Sequence, residues 1–366
     1  GMVAIGLLAC TVRGLPALVP GVEGLTPEWG YRTLMLGWAV YALLVVLVTW
    51  WAATQRTLPD AKGPPQALIR AASVWVTVAG LAAVLLGLKA AFFHRLPEEL
   101  LWAAAAIALA SAAGAAMSVW RRREGWAFAA APGVNVAASL VVWYYQRELA
   151  FEEWWILLVE ANVIASAAVA LVWLAARKRL YQLLELTLGT SPLLGAQTAI
   201  PVAGVLLILT LPVIALLADP AALPGWAGQL AQPPGWIALL LTAAAAAGYL
   251  RQISPQDVFH TVAGLALGAG VLVACSTADP HGRVPADDWL AYHFLVTAFA
   301  TAGLVVLAVG LLGRNLRLAG QIDPNRPSEG RGGRIVVPAS LVQAWVTAIG
   351  VAVVALVLLY CGRDPE

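Results

Sequence analysis

Long apolar runs recur along this chain, and they constrain its fold more than any other feature. A helix needs roughly 20 apolar residues to cross the hydrocarbon core of a bilayer. Ten segments meet or approach that length, near residues 33–54, 70–90, 99–120, 126–146, 154–176, 198–218, 235–250, 259–277, 290–313 and 338–361. They lack the alternation of barrel strands. The sequence predicts an all-α, polytopic integral membrane helical bundle with about 10 transmembrane helices. Residues 2–12 leave room for an eleventh, truncated span at the N-terminus.

The composition excludes a soluble fold. Hydrophobic residues make up 61% of the chain and charged residues only 11%, whereas soluble domains are about 25% charged. No soluble packing scheme hides that much apolar surface. The predicted partner is therefore the lipid bilayer, with other membrane subunits as a further expectation. No basic patch with interleaved aromatic residues occurs, so no nucleic-acid partner is expected.

The chain organises as a single transmembrane domain over residues 1–366. An N-terminal partial span and outer loop occupy 1–32, and spans one to nine occupy 33–313. A basic, glycine-rich cytoplasmic linker follows at 314–337, and the last span lies at 338–361. The other connections are short, so we expect neighbouring spans to form antiparallel hairpins.

The charges predict an orientation. Basic clusters follow every second span, as in "RRR" at 121–123, "RKR" at 177–179 and the arginines of 314–337. Acidic pairs such as Glu98–Glu99 and Asp287–Asp288 lie in the intervening loops. Because basic loops stay in the cytoplasm, we expect an integral protein of a bacterial inner membrane with its basic loops cytoplasmic. Most of the 16 tryptophans fall near predicted span ends, where indole prefers to lie.

Two segments between spans allow more than one interpretation. The stretch "LYQLLELTLG" at 180–189 either forms a short helix on the inner membrane surface or prolongs the fifth span. The almost uncharged loop at 219–234 is predicted to be an outer loop lying near the headgroups.

The fifth span, within "FEEWWILLVEANVIASAAVALVW", carries two unexpected polar residues. Glu160 lies roughly 9 Å along the helix from Trp154, and a charge at such depth costs a few kcal/mol. Asn162 follows two residues later, and Asn135 lies in the fourth span after a Pro-Gly pair. Helices interrupted near polar residues at the midplane form the sites of many transporters. We therefore predict a substrate or proton site formed by Glu160, Asn135 and Asn162.

The same residues also fit an ordinary role. Asparagines often bridge helices, and Glu160 and Asn162 point about 200° apart on an α-helix.

A second candidate stripe lies in the ninth span, where His293, Thr297 and Thr301 share one helical face and would line a passage or pack against a neighbour.

Known catalytic and metal patterns are missing from the sequence. It contains no Walker loop, no GxSxG and no HExxH. The 4 histidines form no paired arrangement within a span, and the 3 cysteines show no zinc spacing. No catalytic residue, metal or cofactor is predicted, and an enzymatic role is less favoured than a non-enzymatic one.

Three functions remain open. The first is a transporter or flippase of a small or lipid-linked solute with a mid-membrane polar site. The second is a non-catalytic subunit or scaffold of a larger membrane complex, which the sparse polar content also fits. The third is a membrane-embedded transferase acting on a lipid-linked substrate at the outer face, for which the candidate carboxylates are Glu23, Glu28, Asp287 and Asp288.

Overall fold

The computed structural model describes residues 27–55, 66–93, 97–121, 125–183, 192–218, 225–253 and 258–276. Within these ranges the regular secondary structure is entirely α-helical. The helices are α1 (Pro27–Gln55), α2 (Gln66–Phe93), α3 (Glu98–Arg121), α4 (Gly125–Gln146), α5 (Phe151–Leu183), α6 (Pro192–Ala218), α7 (Gly225–Leu230), α8 (Pro233–Ile253) and α9 (Val258–Ser276).

Seven of the described helices, α1 to α6 and α8, contain a segment long and apolar enough to cross a membrane. They coincide with the first seven predicted spans, so the all-α, multi-pass membrane prediction is confirmed for this part of the chain. The apolar part of α9, His260–Ser276, is shorter than a span. The spans predicted at 290–313 and 338–361, and the remnant at 2–12, lie outside the described residues. The total of about ten spans stays a prediction.

Two connecting segments are now assigned. Helix α5 continues to Leu183. The first part of the 180–189 stretch therefore prolongs the fifth span, which was one of the two interpretations of this stretch. The second half of the loop predicted at 219–234 contains α7, which the sequence analysis missed. Ala227 and Leu230 of α7 are buried, and α7 packs against α8 and α9. This half of the loop is therefore folded onto protein.

The chain divides into two compact units. The first unit comprises residues 1–169 and 182–184, and the second comprises 170–181 and 185–366. The prediction of one domain over 1–366 stays a prediction. In the second unit α6 packs on α8, and α9 packs on both. Gly268 allows α9 to approach α8 closely, because a Cβ at this position would lie only 2.6 Å from Leu239 Cδ1 of α8.

In the first unit α3 packs against α1, α2 and α4. Two glycines set its close approach to α4. A Cβ at Gly114 would lie 2.9 Å from Ala130 Cβ, and a Cβ at Gly133 would collide with Ser111 Oγ. Small residues at such contacts let helix backbones approach, which is how helices associate when the surrounding solvent is itself apolar.

Helix α2 shows how the bundle separates small from large side chains. Its buried face is dominated by small residues, namely Ala72, Ser73, Ala79, Ala83 and Ala90. Its exposed face carries larger ones, namely Val74, Val78, Leu81 and Leu85. These recur at helical spacing and form a continuous apolar stripe, which is typical of a surface that contacts lipid.

Candidate functional site

Two asparagine–serine bridges join α4 to α5. Asn135 Nδ2 donates to Ser166 Oγ at 2.9 Å, and the Ser166 hydroxyl is also within bonding distance of Asn135 Oδ1, at 3.1 Å. Asn162 Nδ2 donates to Ser139 Oγ at 2.8 Å and to the carbonyl oxygen of Leu158 at 2.8 Å. The structure therefore brings the two predicted asparagines into one helix interface, each with a serine as its partner.

The bridges follow from the helical repeat. On α4 the serine lies four residues after the asparagine, and on α5 it does so again. Residues four apart share a helix face, and antiparallel packing places the asparagine of each helix opposite the serine of the other. The sequence analysis missed Ser139 and Ser166. The two Asn-x-x-x-Ser patterns were the signal that would have found them.

Glu160 lies apart from these bridges. It is 2% exposed, and within the described part of the chain its Oε1 has no hydrogen-bond partner. It shares a buried face of α5 with Ile156, Val163 and Ala167, whereas Asn162 points about 200° away. The structure thus buries Glu160 but brings it into no hydrogen bond with either asparagine.

The Pro-Gly pair of α4 serves helix packing. Residues 125–146 form one helix with Pro132 inside it. Gly133 contacts α3, where a Cβ would meet Ser111 and Ile107. The Ser111 hydroxyl donates to the carbonyl oxygen of Ile107 at 2.9 Å. The space left by the missing Gly133 side chain is therefore filled by α3.

A second buried polar group joins α1 to α3, and the sequence analysis did not predict it. Arg32 Nε lies 2.7 Å from Glu99 Oε1, and the two residues are 6% and 1% exposed. The Arg32 guanidinium also lies 3.4 Å from Glu98 Oε2 and 5.9 Å from the centre of the Trp102 ring. One guanidinium therefore hydrogen-bonds one carboxylate, forms an ion pair with a second and contacts an aromatic face.

Tyr31, the neighbour of Arg32 in α1, contacts residues near the end of α2. The Tyr31 hydroxyl, next to Arg32, donates to the carbonyl oxygen of Leu86 at 2.9 Å. Lys89 Nζ lies 5.9 Å from the centre of the Tyr31 ring. The start of α1, the end of α2 and the start of α3 therefore meet at one end of the first unit, as antiparallel hairpins require. Arg32 and Glu99 had been assigned to loops, which concealed their pairing.

Other predicted site residues are outside the structural description. His293, Thr297 and Thr301 lie beyond the described ranges, as do Glu23, Asp287 and Asp288, and the side chain of Glu28 is not described. Within the described ranges, no group of three or more His, Cys, Asp or Glu residues is arranged to hold a metal ion.

Comparisons with known proteins give no relative. No protein-family model matches the chain, and neither a curated protein nor a solved structure matches it.

Proposed function

We propose that this protein is a multi-pass membrane transporter or flippase of a small or lipid-linked solute, with its polar site in the membrane around α4 and α5. The observation that carries the proposal is Glu160, a buried carboxyl group inside an apolar span whose Oε1 has no hydrogen-bond partner among the described residues. Placing a charge near the helix centre costs about 2.5–3.5 kcal/mol even on insertion scales. Ionisable residues retained at such a cost mark substrate or ion pathways in membrane proteins.

The asparagine–serine bridges suit a site that opens and closes. Interhelical hydrogen bonds in membranes contribute about 0.6 kcal/mol each on average, so separating α4 from α5 at both bridges is inexpensive. The freed amide and hydroxyl groups then offer donors and acceptors to a polar solute. We infer that α4 and α5 separate there during transport, exposing Asn135, Ser139, Asn162 and Ser166.

We further propose the orientation and location that the charge pattern predicts. The basic ends of the spans face the cytoplasm, and the membrane is a bacterial inner membrane. The support is the alternation of basic and acidic loops along the sequence.

Transport is tested with the full chain reconstituted in phospholipid vesicles. One arm incubates the vesicles with a small-molecule cell extract and identifies retained solutes by mass spectrometry. The other arm measures transfer of a fluorescent phospholipid between leaflets by quenching the outer leaflet. We expect activity in at least one arm with wild-type protein, and none in protein-free vesicles. Protein that folds and inserts but is inactive in both arms would contradict the proposal.

A non-catalytic subunit is a second candidate, favoured by the fact that each asparagine already bonds a serine. Bridges of this kind stabilise helix packing without any substrate. This candidate predicts that mild detergent extracts the protein with stoichiometric partners, as measured by native mass spectrometry. Isolation as a lone chain with solute bound would exclude it.

A further inference from the structure

Glu160 has no counter-charge in the described helices around it. It is the only charged residue between Trp154 and Ala176, and α4 contains no acidic or basic residue. The remaining charged side chains described in the first unit's spans lie near helix ends, namely Arg32, Arg70, Lys89, Glu98, Glu99 and Arg121. None of them forms an ion pair with Glu160. Among the described residues of this unit, the carboxyl group is therefore accommodated without an opposite charge.

The amide nearest in sequence is also committed elsewhere. Both N–H groups of Asn162 Nδ2 are used, one by Ser139 Oγ and the other by the Leu158 carbonyl oxygen. Asn135 Nδ2 donates to Ser166 Oγ. A carboxylate that lacks both an ion-pair partner and a hydrogen-bond donor keeps none of the stabilisation that water gave it. The neutral acid is the form that such a site accommodates.

We propose that the Glu160 carboxyl group is an intramembrane proton-binding site that holds its proton while α5 is packed as described. A proton suits the site better than a metal ion. Hard cations require several oxygen ligands, and within the described ranges no cluster of acidic or imidazole side chains supplies them.

The proton links this site to transport. When water reaches the face of α5 that carries Glu160 during transport, hydration stabilises the carboxylate and the proton leaves to water; when that face is buried again, a proton must return. This coupling rests on the proposed function, whereas the protonated state of the packed form does not. The ligand class assigned to Glu160 is therefore the proton, taken up when this face of α5 is buried and released when it is hydrated.

The test uses the full chain in vesicles of phosphatidylcholine and phosphatidylglycerol. Dicyclohexylcarbodiimide, an apolar reagent, reacts with protonated carboxyl groups in apolar surroundings, and peptide mass spectrometry locates the adduct. Glu99 is the internal control, because it is as buried as Glu160 but bonded to Arg32. We expect the adduct on Glu160, none on Glu99, and loss of the Glu160 adduct in Glu160→Gln.

Infrared spectroscopy provides a second measurement that does not depend on reagent access. Wild-type protein should show a carboxylic acid C=O band that shifts in D₂O and is lost in Glu160→Gln. The adduct or the band supports the proposal, and the absence of both in folded protein overturns it. Protection of Glu160 from the reagent by Na⁺, relative to K⁺, would overturn the assignment to the proton.

The outcomes also separate this inference from the proposed function. A protonated Glu160 in a protein inactive in both vesicle arms leaves the proton site standing and removes its role in transport. An active protein without either signature retains transport and removes the proton site.

Discussion

The first unit buries two carboxyl groups almost equally, and each has one buried oxygen without a hydrogen-bond partner, Oε2 in Glu99 and Oε1 in Glu160. They differ in that Glu99 also bonds an arginine. Glu99 is 1% exposed and bonds Arg32 at 2.7 Å, whereas Glu160 is 2% exposed and its Oε1 has no partner in the described part of the chain. Glu99 lies at the start of α3, within reach of groups at the start of α1. Glu160 lies inside a span. The comparison indicates that burial alone does not define a site, and that the absence of a counter-charge distinguishes a candidate functional carboxyl group from a structural one.

The largest expected effect comes from separating the ion pair. Arg32→Met leaves the buried Glu99 carboxylate without its counter-charge, which costs about 3–5 kcal/mol of stability. Glu99→Leu should cost less, because Arg32 keeps its contact with Glu98 at 3.4 Å. The double variant should recover most of that loss, because apolar pairs often replace buried ion pairs without cost. Unfolding in detergent monitored by circular dichroism measures the difference. A double variant no more stable than either single variant would show that the pair is not the reason for the loss.

Replacing Glu160 should raise the stability of the protein, in contrast to replacing Arg32 or Glu99. Glu160→Leu removes a buried carboxyl group whose Oε1 has no partner among the described residues, so we expect a gain of about 1–3 kcal/mol. The same substitution should abolish solute transport, since stability and activity often oppose each other at functional sites. Unfolding and vesicle assays on the same preparation test both effects. A loss of stability comparable with that of Glu99→Leu would mean that Glu160 has a structural partner.

The asparagine–serine bridges should matter less for stability than either carboxyl group. Asn135→Ala and Ser166→Ala should each cost roughly 0.5–2 kcal/mol, with a coupling near 0.6 kcal/mol in the double-mutant cycle. Ser139 with Asn162 provides the matched second cycle. If the coupling is absent in both cycles, the bridges do not hold α4 to α5.

The smallest effect on stability is expected at an exposed ion pair within the short connection from α4 to α5. Arg147 and Glu148 are 3.7 Å apart, and their side chains are 40% and 86% exposed. Arg147→Ala should change stability by less than about 0.5 kcal/mol, because exposed pairs contribute little. This variant is the control for Arg32→Met under the same unfolding conditions. If Arg147→Ala and Arg32→Met lost similar stability, the loss in Arg32→Met would come from removing a positive charge and not from breaking the buried ion pair.

Much of the described fold was predictable from apolar runs. The first seven spans were placed correctly, although several helices extend beyond them: α1 begins at Pro27, six residues before the run predicted at 33–54, and α5 ends at Leu183. Hydropathy marks the part of a helix that contacts acyl chains, whereas backbone hydrogen bonding continues into the polar interface. The six-residue α7 was missed because it is too short to show a helical repeat.

The candidate site was predictable only in part. Asn135 and Asn162 were expected to face one interface because their spans are joined by a short connection. Their serine partners were overlooked, and the depth argument grouped Glu160 with Asn162 although the helical repeat separates their directions. The participation of all three in one substrate site stays a prediction, and so does the stripe of His293, Thr297 and Thr301.

The sequence by itself determined that the chain crosses a membrane as helices, since in an apolar solvent each backbone N–H and C=O group must bond within its own helix. Only the tertiary structure decided which buried carboxyl group receives a counter-charge. Arg32 and Glu99 are 67 residues apart in sequence, and their pairing depends on how α1 and α3 are rotated and aligned. Local pattern fixes neither rotation nor alignment, because both follow from packing among small side chains on several helices at once.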